Sequence, residues 1–316
     1  MLADALLITL ETPSTWPLAL ATFLLRGGLL VVVLPIVVLP SPVSLGNVLG
    51  PALTTVVLSG VPVELTVVAG SIALGAVAWV VLGGLVAGSL EAEGSRLVVD
   101  RDDAGGPAAD PAGTGVDRPS ATTIATRVLQ ARLVAHLPTA LALSWGSTRL
   151  VTVAYRELTS PSDVVSPIAL RVLRGAPEVI VIVGALWILG EIVGGLAARR
   201  MAIAGTGTRG GLGDALETAI RQPVLVAAAF LVPAAGLIVI LLPAAAAASA
   251  AWVAVRIAMA NASGPFGAAL SVFLFVGLWM LGLLLIAVTS AWRAAVWSVV
   301  ERDRSQWRTA VAATST

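Results

Sequence analysis

Residues 223–242 read PVLVAAAFLVPAAGLIVILL, a run without one charged or amide side chain. At 1.5 Å of rise per residue, twenty residues make about 30 Å of helix, the thickness of a bilayer's hydrocarbon core. Lipid offers no hydrogen bonds to an exposed backbone, so a lone segment this apolar must pair its N–H and C=O groups internally, as a helix does. The same reading extends outward to five more stretches: Leu18 to Leu39, Leu65 to Leu90, Leu133 to Tyr155, Pro177 to Ala198, and Phe266 to Val288, the last able to continue as helix to Val300. Pro17, Pro177 and Pro223 stand where a first helical turn tolerates proline, and Trp16 suits the headgroup level. The predicted fold is all-α, a polytopic transmembrane helical bundle of about six spans. Pro35, Pro138, Pro233 and Pro243 are predicted to introduce kinks or short re-entrant pieces.

Two stretches are ambiguous. Residues 43–60 carry Asn47, Pro51, Thr54 and Thr55 and read as a re-entrant or interfacial segment of a first membrane hairpin, 1–90. Residues 244–259 follow Pro243 and either prolong the fifth helix past a kink or dip back into the bilayer.

Composition agrees. Of 316 residues, 58% are hydrophobic and 12% charged, the charged share about half that of an ordinary soluble domain, and the mean hydropathy is +0.97. The formal net charge of +1 excludes a strongly basic nucleic-acid binder. Cysteine is absent, which removes disulfides, thiolate metal sites and cysteine nucleophiles, and a single histidine, His136, removes a multi-histidine metal site. All 19 basic residues are arginine, so Walker-type and Schiff-base lysine chemistry are excluded as well. No cofactor or metal is expected. The first sixteen residues contain Asp4 and Glu11 but no arginine, so no cleavable signal is expected and the first span should remain as an anchor.

Residues 91–121 differ from the rest. Seven acidic residues, three arginines and the Gly/Pro-rich AGGPAADPAGTG predict a disordered acidic loop. It is read as a solvated linker, with a docking tail as the functional alternative, and divides the hairpin from a four-span bundle over 122–300 and a tail over 301–316. Thirteen arginines fall on the side that receives this loop, the 199–221 connection and the C-terminus; five (Arg149, Arg156, Arg171, Arg174, Arg256) fall on the other. The positive-inside rule therefore predicts a multi-pass plasma-membrane protein with both termini cytoplasmic.

Charges at membrane depth are costly and are the first places to look for function. Arg26 lies nine residues past Pro17, about 14 Å deep, and Glu191 eight residues before Arg199, about 12 Å from the same face. They are expected to form a buried ion pair, serving either as a coupling site or as a structural fastener. A second polar cluster is expected toward the outer face from Arg149, Arg171, Arg174 and Glu178, as an anion site or as interfacial snorkelling and capping. His136 is a candidate for proton handling, or simply bonds a carbonyl left free by Pro138.

Other motifs carry less. Gly84/Gly88 and Gly190/Gly194 are G-x-x-x-G pairs read as internal helix packing, and GGLVAGS at 83–89 faintly echoes GGLAARR at 194–200. GTGTRG at 205–210 matches G-x-G-x-x-G but follows a membrane helix and lacks a βαβ setting, so a dinucleotide site is not expected. Leu212, Ala215, Leu216, Ala219 and Ile220 form one apolar stripe, with Glu217 and Arg221 spaced i,i+4. The segment 212–221 is thus an amphipathic surface helix, an interfacial connector or a seat for a soluble cytoplasmic partner. No catalytic residues are assigned: Ser71, Ser89 and Ser144 have only His136 as a base, and nothing in the sequence sets it beside them. The function expected is a transport-related or permease-like membrane protein for an unknown small substrate. The alternatives are a non-catalytic membrane scaffold or envelope-maintenance protein and, behind that, an intramembrane lipid-modifying enzyme.

Overall fold

The computed structural model describes residues 1–33, 36–37, 55, 60–103, 120–160, 162–163, 166, 168–260 and 264–314, and among these there is no strand. Helix α1 is Leu2–Glu11. Helix α2 (Thr15–Phe23) passes through a π-helical turn, Leu24–Gly28, into α3 (Leu29–Val33); α4 (Val63–Ala78) passes through a second, Trp79–Gly83, into α5 (Gly84–Asp103). Then come α6 (Ala121–Thr159), the short α7 (Ile168–Gly175), α8 (Pro177–Ala204), α9 (Thr208–Arg221), α10 (Pro223–Ala260) and α11 (Gly264–Thr314).

Five of the described helical segments are long and apolar enough to cross a membrane: Thr15–Val33, Val63–Arg101, Pro177–Ala204, Pro223–Ala260 and Gly264–Arg302. The chain is a multi-pass membrane protein built as an all-α bundle. The third expected span, 133–155, lies inside α6, a 39-residue helix with the length to cross but with more polar residues along it. α10 runs 38 residues, about 57 Å, so it outreaches the hydrocarbon core.

The helices run alternately up and down. One end gathers α1, the end of α5, the start of α6, the connection α8–α9–α10 and the end of α11 around a buried core of Ile8, Val98, Ile124, Leu196, Met201 and Trp297. We call this the termini end. Above it the surface is a belt of exposed large apolar side chains, from Leu30 and Ile72 to Leu141, Val181, Val239 and Phe273. α4 has no buried residue at all, as suits a helix surrounded by lipid tails.

Several expectations change. Residues 91–103 are not part of a disordered loop: they complete α5, because Gly84, Gly88, Glu91, Ser95 and Val98 fall at helical spacing and turn one face into the bundle. Residues 104–119 and most of 43–60, with Pro35, lie outside the described residues. Of the two readings of residues 244–259, the first holds: they prolong the fifth helix, and α10 continues through Pro233 and Pro243, since each proline removes one ladder bond while the apolar, alanine-rich run keeps the helix favourable. Likewise α11 continues past residue 301, so the tail begins as helix. Finally, the first span is not uniform. Arg26 and Gly27 have non-helical dihedrals, and Gly27 sits at φ +101°, where only glycine is at ease. The break frees the Leu25 carbonyl, which accepts a 3.0 Å bond from Trp79 Nε1 in the π-helical turn of the next span.

Candidate functional site

Both G-x-x-x-G pairs pack on α6. A Cβ at Gly88 would lie 3.1 Å from the Ala125 carbonyl oxygen, and one at Gly190 would lie 2.9 Å from that of Ala135. These close approaches hold α5 and α8 against opposite registers of one helix. They deliver Glu91, three residues after Gly88, and Glu191, next to Gly190, to the arginine that α6 carries between them, Arg132.

Glu91 is 2% exposed and takes three arginines from three helices. Arg132 grips it as a fork, Nη2 to Oε1 at 2.7 Å and Nε to Oε2 at 3.3 Å. Arg26 Nη2 binds Oε2, and Arg199 Nη1 binds Oε1. Charge-assisted, forked bonds of this kind are the strong ones, and they offset part of the cost of burying the charges. Glu191 holds the other side: Oε2 accepts from Arg293 Nη2 at 2.8 Å and lies 3.7 Å from Arg132 Nη1, while Oε1 lies 3.4 Å from His136 Nε2. Arg293 also sits over the Phe230 ring at 5.6 Å.

The expected pairing of Arg26 with Glu191 is therefore corrected. The two do share one site, but the break at Arg26–Gly27 aims the guanidinium at α5, and Arg132 and Arg293 take Glu191 instead. Glu91 is available to Arg26 because residues 91–103 are helix rather than loop. His136 does not serve the carbonyl that Pro138 orphans, which is that of Val134; its Nδ1 lies 2.9 Å from the Arg132 oxygen, one turn back. Each ring nitrogen thus has an oxygen nearby, the Arg132 carbonyl at Nδ1 and Glu191 Oε1 at Nε2.

These charges line a chamber of about 280 Å3, near the lower limit of about 300 Å3 for small-molecule pockets. Its wall holds Arg26, Arg132, Arg199, Arg293, Glu91 and Glu191, with Ser290 beside them. The remaining wall is largely apolar, including Leu18, Phe23, Trp187 and Leu237. Along each helix the charged residue stands at the margin of the apolar belt: Val86 then Glu91, Leu133 then Arg132, Leu189 then Glu191, Leu285 then Arg293. The chamber thus lies where apolar surface gives way to the termini-end core.

The expected outer cluster divides. Arg149 Nε donates to Glu178 at 3.0 Å on an exposed surface. Arg171 turns away from them, to the Asp163 carbonyl and to Glu157 at 3.4 Å, and Arg174 stands exposed on α7. The reason is Glu157, whose buried carboxylate also accepts the Ser162 N–H at 2.9 Å and hydroxyl at 2.8 Å and so ties down the α6–α7 connection. At the termini end a further network joins three helices: Arg200 of α8 binds Asp214 of α9 and Glu301 of α11.

The stripe on α9 is partly reassigned. The helix buries Gly211, Ala215 and Thr218, while Leu216 and Ile220 face outward, because Gly211 lets α9 approach Met201 of α8. Sequence reasoning passed over Glu91, Arg132, Arg199 and Arg293 as site residues. The signal that could have found Glu91 was its place on the Gly84–Gly88 face.

Compared with protein-family models, curated proteins and solved structures, the chain matches none.

Proposed function

We propose that this chain is a permease-like protein of the plasma membrane that passes a small substrate through the arginine-lined chamber. The carrying observation is the coincidence of cavity and charge: about 280 Å3 of space bounded by six ionisable side chains, at the margin of the lipid-facing belt. Ionisable groups at such depth are costly, face the bundle interior or a water-filled cavity, and mark substrate or ion pathways among other functional sites. The bias of arginines toward the termini end supports a cytoplasmic location for both termini, with the chamber in the cytoplasmic half. α9 then lies on the cytoplasmic surface, with Leu216 and Ile220 among the headgroups or against a soluble partner.

A scaffold whose charges only fasten helices would account for Glu91, which uses both oxygens on arginines. It would not account for a chamber kept open beside them. An intramembrane enzyme lacks support at His136, whose described partners are Arg132 and Glu191 and no hydroxyl nucleophile.

The absence of native cysteine makes the test direct. Gly94 and Gly195 line the chamber, and a Cβ at either meets nothing within 4 Å. In sealed vesicles, Gly94→Cys and Gly195→Cys should react with a membrane-impermeant maleimide added from either face, as alternating access requires. Labelling from one face only would overturn transport.

A further inference from the structure

The chamber's unspent hydrogen-bonding capacity says what it takes. Arg199 is 6% exposed in its side chain, yet its Nε has no hydrogen-bond partner. Arg132 Nη1 is buried without one too, its nearest acceptor being Glu191 at ion-pair distance, 3.7 Å. Ser290 Oγ, on the same wall, is a third. Buried donors left unmet are costly, and each of these atoms is closed off from solvent, so it meets a ligand when its side chain turns toward the chamber. The acceptor they lack is anionic. Four arginines against two glutamates leave the wall with two positive charges in excess, and both glutamates are already held by those arginines. A cation would meet this excess directly, and a neutral apolar molecule would leave the donors dry. The rest of the wall is mostly apolar, with Phe23, Trp187 and Leu237, and its two threonine hydroxyls, Thr15 and Thr22, already donate to the Thr12 and Leu18 carbonyls, so it suits an apolar body.

We propose that the chamber binds an amphiphilic oxyanion, a phosphate or carboxylate group joined to an apolar body. The oxyanion sits against Arg132, Arg199 and Ser290, and the apolar body lies along Phe23 and Leu237. This names the substrate class of the permease-like reading and rests on the same chamber. Two sources carry this chemistry: an anionic membrane lipid, entering from the belt, and a water-soluble single-chain amphiphile.

The test uses the full-length purified protein in neutral detergent and in phosphatidylcholine nanodiscs. Dodecyl phosphate should raise the unfolding temperature saturably, and dodecanol and inorganic phosphate should not. Gly195→Leu places its side chain at the chamber wall, at a position where a Cβ meets nothing within 4 Å, and a retained cooperative unfolding transition confirms that the variant folds. It should weaken dodecyl phosphate binding about tenfold or more. Arg199→Gln should do the same where it folds, and Gly195→Leu decides if it does not. Stabilisation by phosphatidic acid over diacylglycerol in nanodiscs identifies the lipid as source; a response confined to the free single-chain anion identifies the soluble amphiphile. Equal responses to dodecyl phosphate and dodecanol, an inorganic phosphate response as tight as that to dodecyl phosphate, or an unchanged affinity in Gly195→Leu would overturn the assignment. One-sided maleimide labelling with anion binding intact removes transport and keeps the ligand. Two-sided labelling without anion binding does the reverse.

Discussion

Arg132 meets Glu91 through two nitrogens and Glu191 through a third, so one guanidinium on α6 bridges the acidic residues of α5 and α8. The consequence is an asymmetry between removing the acid and removing one base. Glu91→Ala leaves Arg26, Arg132 and Arg199 facing each other without their shared counter-charge. Loss of one partner of a buried pair costs about 3–5 kcal/mol, and here three partners are orphaned together. Glu91→Ala should therefore lower the unfolding temperature in detergent more than Arg199→Ala does. The double variant Glu91→Ala/Arg199→Ala should recover part of the loss. Equal losses in the two single variants would mean that the cluster is hydrated and cheap.

Whether Arg26 belongs to Glu91 or to Glu191 is separable by double-mutant cycles. Residues in direct contact show coupling energies of about 0.5–3 kcal/mol, and those without shared contacts add nearly independently. The Arg26/Glu91 cycle should give clear coupling, and the Arg26/Glu191 cycle a smaller one, transmitted through Arg132. The reverse order would restore the pairing expected from depth alone.

Why that pairing was expected shows what the sequence displays and what it hides. Apolar length displays itself: the starts of the spans at Pro177 and Pro223 were legible, because proline marks the entry, while their far ends run past the thickness that lipid requires, to Ala204 and Ala260. Depth was legible as well, since counting 1.5 Å steps from the span ends put Arg26 and Glu191 in one site. Partner choice was not. It depends on the break at Arg26–Gly27, a local departure from helix that the Gly-Gly pair permits but does not announce. Glu91 was hidden by averaging: the Gly/Pro-rich character of 104–119 was spread over 91–103, which itself holds five of the seven acidic residues, although the Gly84–Gly88–Glu91–Ser95 face is helical in period. The Glu157–Ser162–Arg171 contacts depend on the turn after α6, which no span pattern encodes.

Two glycines in helices predict opposite signs for the same substitution. At Gly190 an added methyl would lie 2.9 Å from the Ala135 carbonyl and 3.0 Å from the His136 ring, so α8 must move off α6. Overpacking of this kind costs about 1–3 kcal/mol. At Gly94 the same methyl meets nothing within 4 Å, and replacing a mid-helix glycine by alanine gains about 0.5–1 kcal/mol. Thermal unfolding in one detergent should place Gly190→Ala below the parent protein and Gly94→Ala above it. Destabilisation by both would point to a more closely packed α5 than the one described.

Acid sensitivity should trace to the end of the molecule opposite the termini. Glu157, at the last turn of α6, has its carboxyl held below the usual range, first by the Ser162 backbone N–H, then by the Ser162 hydroxyl, with Arg171 and Arg156 adding attraction. A carboxyl whose folded-state value is depressed binds its proton more readily in the unfolded chain. Its stabilisation is therefore complete above the ordinary glutamate value of about 4.3 and fades as pH falls below it, through the depressed folded value. Glu157→Gln keeps an acceptor for Ser162 but cannot titrate. Near neutral pH the variant should unfold at a lower temperature than the parent. As pH is taken below about 4, the parent should lose stability faster and the two unfolding temperatures should converge. A gap that stays constant from neutral to acid pH would show that the carboxylate's charge contributes nothing there, and that Arg171 is held by the Asp163 carbonyl alone.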